Sequence, residues 1–455
     1  MDGGGVIRKA LVAAALAAAA LSLTAASDVV VVTAHKGDKF MGVGSCAGST
    51  CHGRTEPTGA VVRQDEIRVW QDLSSPTGAH LQAYRVLFEP RSQQIAAKLG
   101  IGPAQNAREC LGCHGLVPAN RGPRFSVSDG ISCEACHGAA ERWLASHYAV
   151  KGSHADNVRN GLLPLENPRV RAENCLDCHF GAKGDQFVTH RIMAAGHPRV
   201  SFELDLFSAL SRHWNVDADY RERKQNVPGV KMWAVGQAAA VSRQLALYAD
   251  PAKGTEGQFP EFYFFDCRSC HRPIYDEREW KPSRVANPFR PVAPGTPVFN
   301  DENLLMLSAA ARIAAPDVAA RYDADARAFH AAIMGDRAGA VRAAAKLRAS
   351  AEGLADAFGR ATFSRAETFA MLRAVLAEAD SRRLSDYQGS AQAVMAADTL
   401  VNALQAEGQV PAGTRDSLKP AFNRAYAAVK DPQRFDTAEV KASLDALSAA
   451  TARLQ

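Results

Sequence analysis

All ten cysteines of this chain fall into five pairs, and a histidine follows the second cysteine of every pair. Four pairs have two residues between the thiols: Cys110–Cys113 with His114, Cys133–Cys136 with His137, Cys175–Cys178 with His179, and Cys267–Cys270 with His271. The first pair, Cys46–Cys51 with His52, has four. The chain holds only 13 histidines in 455 residues, so chance does not place one behind each pair. Thiols at positions i and i+3 lie on one face of a helical turn. They can therefore bond the same edge of one porphyrin, and the next residue swings its imidazole under the ring. This is the attachment pattern of c-type haem. In the first pair the two extra residues must loop outward, which the small Ala47, Gly48 and Ser49 make easy. An even cysteine count also suits disulfides, and paired thiols suit zinc, but neither needs the trailing histidine each time. The expectation is five covalently attached haem c groups, with His52, His114, His137, His179 and His271 as proximal iron ligands.

Eight histidines remain, and five six-coordinate irons need five distal ligands. His147 follows Trp143 on a short helix after the third motif, and His80 opens an apparent helix past Trp70. His190 and His197 are spaced so that one continuous helix presents both on the same side. His213 and His154 complete the candidate set, while His35 and His330 read as surface histidines. Methionine is the usual competitor, with Met41 and Met193 available, but the surplus of histidine favours histidine. The close spacing of His114 and His137 along the chain makes their haems expected neighbours.

The balance of 53 Lys+Arg against 48 Asp+Glu gives a formal charge of +5. Haem propionates and ferric cores shift that by about −5, close to neutral. A nucleic-acid partner is therefore not indicated. Aromatic residues are only 7% of the chain, so the haems themselves are expected to form much of the core around the motifs.

Residues 1–27 read as a secretory signal peptide: Arg8 and Lys9, an apolar run from Ala10 to Leu23, then Ala25, Ala26 and Ser27 as a small-residue cleavage site. The run is too short for a membrane span, and no other stretch is long and apolar enough. The expected location is the periplasm, with no membrane span in the mature chain. Val29–Val32 suggests a short strand. Residues 28–300 form the expected haem domain, punctuated by Gly and Pro. Its short helices are expected over 65–70, 80–88, 139–148 and 202–213, with an Ala-rich helix over 235–247. Pro282, Pro288, Pro291, Pro294 and Pro297 mark a linker. Residues 301–455 change character: no cysteine, one histidine (His330), and helical periodicity near 302–315, 317–334, 336–357, 365–381, 386–406, 412–430 and 437–453. Ser364 and Glu367 fit a capping box. The fold class is mainly α: a loop-rich multihaem cytochrome c domain, then an all-α helical bundle whose expected role is scaffold or homo-oligomer interface.

The motifs Cys110–His114, Cys133–His137 and Cys175–His179, with Trp70 before His80, Trp143 before His147, and Ala195-Gly196-His197-Pro198, resemble the multihaem cytochrome c superfamily that includes hydroxylamine oxidoreductase and its tetrahaem electron-carrier partner. The resemblance spans roughly residues 40–290. It implies closely packed, mostly bis-histidine haems passing electrons to redox protein partners in the periplasm. The stretched first motif and the count of five depart from both relatives, so enzymatic activity is not carried over. An electron-transfer protein is the favoured reading. The alternative is a multihaem oxidoreductase acting on a small nitrogen or sulfur compound at one five-coordinate haem.

Overall fold

The computed structural model describes residues 37–57, 63–182, 184–199, 201–223, 226–254, 261–271, 287, 289–293, 296–379, 384 and 386–454. The expected leader, the strand expected at Val29–Val32, and His35 lie outside these residues, as do three of the five prolines of the expected linker. The described residues are mainly α, with twenty α-helices and no sheet. Three isolated bridges occur, among them Phe40 with Arg121 and Phe265 with Phe299.

The motif-bearing part holds α1 (Glu66–Trp70), α2 (Ala79–Arg85), α3 (Pro90–Leu99), α4 (Arg108–His114), α5 (Cys133–His137), α6 (Trp143–Tyr148), α7 (His154–Arg159), α8 (Pro168–His179), α9 (His190–Ala195), α10 (Leu204–Leu210), α11 (Ala218–Arg223) and α12 (Gly229–Ala249). The C-terminal part holds α13 (Glu302–Ala314), α14 (Pro316–Ala332), α15 (Arg337–Arg360), α16 (Arg365–Ala377), α17 (Tyr387–Ala406), α18 (Thr414–Ser417), α19 (Lys419–Ala428) and α20 (Thr437–Ala452).

Several helices were not expected from periodicity. α3 and α8 both begin on a proline, where the missing N–H costs nothing, and Gly100 ends α3 in the left-handed region at φ 69°. The span expected as one helix over 412–430 is two helices that meet at Leu418, just before Pro420. Proline is at home in a first turn and breaks an interior one. The capping box before α16 is present: Ser364 Oγ accepts from the Glu367 N–H at 3.2 Å, and Glu367 Oε2 accepts from the Ser364 N–H at 2.8 Å.

Packing is uneven. One continuous apolar cluster runs from Ala172 on α8 to Leu447 on α20. α12 lies inside it, with Trp233 and Tyr248 fully buried. Its alanines let neighbouring helices approach closely, and it packs against α8, α13, α15 and α17. Around the first three motifs the apolar clusters are small. Val43, Ile67, Trp70 and Leu81 form one, flanked by Cys46 and Cys133. Leu87, Ala96 and Ala104 form another, flanked by Cys110 and Leu111.

A buried ionic cluster joins the two parts. Arg290 Nε donates to Asp301 Oδ2 at 2.6 Å, and its guanidinium also bonds Asp386. His330 Nε2 lies 3.2 Å from Asp301 Oδ2. His330, expected at the surface, is only 1% exposed. Burial alone would raise the Asp301 carboxyl, but the Arg290 guanidinium reverses this and holds it at about 2. A depressed carboxylate stabilises the fold above its unfolded value, and that contribution fades as pH falls through the folded value. Asp301→Asn leaves a buried guanidinium short of an acceptor and should cost about 3–5 kcal/mol. Denaturant unfolding followed by far-UV circular dichroism checks this. The variant should also lose part of the acid-side decline in stability between 3.8 and about 2.

Candidate haem centres

Each motif closes on a tight turn of backbone. In the second, third and fourth, both cysteines and the histidine lie at the end of a helix: α4, α5 and α8. The fifth lies on a 3-10 turn, Cys267–Ser269. The first follows the 3-10 turn Val43–Ser45, and its two extra residues fold into a compact loop. There the His52 N–H donates to the Cys46 carbonyl at 3.1 Å, and the Cys51 and Gly53 N–H groups both donate to the Gly48 carbonyl. All ten thiols are free, and no cluster of three or more potential ligands among the described residues is arranged to hold a bare metal ion.

The fold brings a second histidine to four of the five motif histidines. His52 faces His147 with ring centroids 6.0 Å apart, His114 faces His197 at 6.2 Å, His137 faces His213 at 6.4 Å, and His190 faces His271 at 6.1 Å. Two imidazoles on opposite sides of one metal ion have a natural spacing. With a metal–nitrogen bond of about 2.0 Å and about 1.1 Å from nitrogen to ring centre, the centroids lie about 6.2 Å apart. All four pairs match that value. The residues present therefore fit a haem iron held between two imidazoles. The ring planes are near-parallel at His52/His147 (18°) and His190/His271 (27°), and near-perpendicular at His114/His197 (85°) and His137/His213 (90°).

The fourth motif differs. His179 stacks on Phe202 at 4.5 Å and meets the edge of Phe207 at 5.5 Å. His80 is close enough to His179 to act on it electrostatically. His154 is not brought to any motif histidine: its Nε2 lies 2.7 Å from Glu166 Oε1, near the surface. His190 and His197 do not share a continuous helix. α9 ends at Ala195, Gly196 turns at φ 123°, and the two rings face different motif histidines, His271 and His114. Burial holds the His137 and His179 rings down at about 4. Both are thus neutral, with a lone pair free for a metal.

Neighbouring motifs do not follow chain order. Cys46 and Cys133 lie close enough to influence each other's thiol ionisation, as do Cys113 and Cys178. Cys136 and Cys175 interact across the gap between the third and fourth motifs. The first motif thus adjoins the third, the third the fourth, and the fourth the second.

Sequence reasoning missed Glu134 and Glu66. Glu134, inside the third motif and 3% exposed, accepts the N–H groups of Met41 (2.8 Å), Gly42 (2.7 Å) and Ala140 (2.7 Å). It staples the segment leading into the first motif onto the third. Its position between two cysteines was visible, but not its remote partners. Gly53 is a further hidden requirement: a Cβ there would sit 2.1 Å from the Ala47 carbonyl oxygen. Gly53→Ala should open the first loop and, on the expectation of one haem per motif, lower the haem content by one and keep the other attachments. Intact mass of the purified holoprotein reads this directly.

Residues 45–138, which contain the first three motifs, match the family described as cytochrome c554 and c-prime. No curated protein and no solved structure matches this chain. Together with the paired imidazoles, the family match supports a c-type cytochrome that binds haem c covalently.

Proposed function

We propose that this chain is an exported, periplasmic electron carrier with five haem c groups, most of them ligated by two histidines. The observation that carries the reading is the set of four imidazole pairs at 6.0–6.4 Å. Haem c iron supplies reversible one-electron exchange. The chain's own residues do the rest. Cys46 and Cys51, Cys110 and Cys113, Cys133 and Cys136, Cys175 and Cys178, and Cys267 and Cys270 fasten the five groups. His52, His114, His137, His179 and His271 stand on one side of each; His147, His197, His213 and His190 face the first, second, third and fifth of these, and His80, electrostatically close to His179, is the proposed partner at the fourth. His154 is given no site in this reading: its Nε2 pairs with Glu166, and its ring is not among those that face a motif histidine.

Two histidines on one iron leave no position for a substrate and keep ligation unchanged between oxidation states, which suits electron transfer. The thiol contacts support an order of first, third, fourth and second site. The fifth joins near the second, since His190 and His197 stand on one short segment. The leader-like residues 1–27 support export, and no helix among the described residues is long and apolar enough to cross a membrane. Redox proteins of the same compartment are the proposed partners. The C-terminal helices serve as scaffold or as a surface for self-association.

The alternative, an oxidoreductase acting on a small nitrogen or sulfur compound, needs one five-coordinate iron. The fourth site is where it would lie, because His179 has phenylalanines as its ring neighbours and His80 is not stacked opposite it. Electron paramagnetic resonance of the oxidised protein and carbon monoxide binding to the reduced protein separate the two. The carrier should be low-spin throughout and bind carbon monoxide slowly. A high-spin signal with rapid binding to one haem favours the enzyme. His197→Ala should convert one haem to high spin and leave the far-UV spectrum of the helical part unchanged.

A further inference from the structure

The first site is built differently around its histidine. His52 Nδ1 lies 2.9 Å from Glu66 Oε2 at the start of α1. Three other proposed ligands present Nδ1 to backbone carbonyls instead: His114 to Ala83 at 2.8 Å, His197 to Pro198 at 2.7 Å, and His213 to Ser211 at 3.2 Å.

The carboxylate is held there by a dedicated clamp. The Ile67 N–H donates to the His52 carbonyl at 3.2 Å, docking α1 on the motif. Gln64 bridges the stretched loop: its side-chain amide donates to the Thr50 carbonyl at 2.8 Å, and its Oε1 accepts from Arg54 Nε at 3.0 Å. The Arg54 N–H also donates to the Gln64 carbonyl at 2.8 Å. Gln64 takes φ 59°, a left-handed value that glycine alone adopts freely, and no other non-glycine residue among those described does so. Such strain persists only where surrounding contacts over-determine it. The contacts here all converge on placing Glu66 against His52.

A charged carboxylate is a much stronger acceptor than an amide carbonyl. It draws the Nδ1 proton toward itself, and the opposite nitrogen becomes a more basic donor. A more basic axial ligand stabilises ferric over ferrous iron. We propose that Glu66 is a positioning residue that makes the first site the hardest of the five to reduce. This rests on the haem-ligation reading above. In the order proposed above the first site stands at one end, and its low potential gives that order a direction. In partial reduction the first site remains ferric longest.

The test is Glu66→Gln, which keeps an acceptor near His52 but removes the charge. Haem content, low-spin spectra and spectroelectrochemical midpoint potentials are compared with the parent holoprotein. The expected result is five haems in both and an upward shift of the lowest potential alone. Five low-spin haems with no shift, or a shift in a potential other than the lowest, would overturn the proposal. A parent protein lacking covalent low-spin haem would instead sink the ligation reading itself. Should the variant lose its first haem, a stepwise reductive titration of the parent decides. The last ferric resonance should be of the rhombic kind given by near-parallel imidazoles, as at His52/His147 and His190/His271, and it should be missing from the variant that has lost its first haem, which separates those two sites. If it is of the large-anisotropy kind given by perpendicular rings, the proposal fails.

Discussion

The separation between facing imidazoles is the constraint on which the motif-bearing part depends. Each motif delivers one histidine locally, from the same turn that carries its thiols. The facing histidine comes from a distant segment: His147 from α6, His190 from α9, and His197 and His213 from the turns after α9 and α10. Closing such loops costs chain entropy that a few small side chains do not offset. The clusters at Val43–Ile67–Trp70–Leu81 and Leu87–Ala96–Ala104 are of that modest size. On the proposed reading, the body shared between each pair of imidazoles supplies the missing apolar surface and fixes the spacing.

The other half of the molecule is organised by conventional means. Its core is a single apolar cluster in which α12 is enclosed by the C-terminal helices, although α12 precedes the linker in sequence. Arg243 on α12 reaches back to the fourth motif: its guanidinium bonds Asp177 between Cys175 and Cys178 at 2.6 Å and Glu173 at 2.5 Å. The helical part thereby holds the fourth motif in place from behind. Glu203 acts in the opposite direction. It caps α10 and accepts the Thr399 hydroxyl of α17 at 2.6 Å. Burial raises its carboxyl to about 7. A scaffold role for the C-terminal helices therefore has a physical basis in named contacts.

Carboxylates recur wherever segments remote in sequence must meet near a motif. Glu134 gathers backbone N–H groups from two segments, and Glu261 accepts the His190 N–H at 2.7 Å and the Tyr263 N–H at 3.1 Å. One acceptor with two oxygens can satisfy several orphan donors at a junction where no regular ladder forms. This matters in a part whose chain is mostly turns, because buried N–H groups left unpaired are costly.

The pairing of cysteines with an adjacent histidine was legible from residue order alone, because attachment is a local matter of i, i+3 and the next residue. So were the mainly α class, the helices after residue 301 and the capping box at Ser364, which depend on period and nearest neighbours. Which histidines would stand opposite was only partly legible. His147, His197, His213 and His190 were among the candidates, but nothing in one dimension says that His197 meets His114 and His190 meets His271, nor that Glu166 engages His154. The assignment of α12 to the helical core, the burial of His330 and the carboxylate on His52 likewise had no local signature. Residue order determined what each short segment can bond. The tertiary structure decided which segments meet, because a distance of about 6 Å between two imidazoles is set by the whole path of backbone between them.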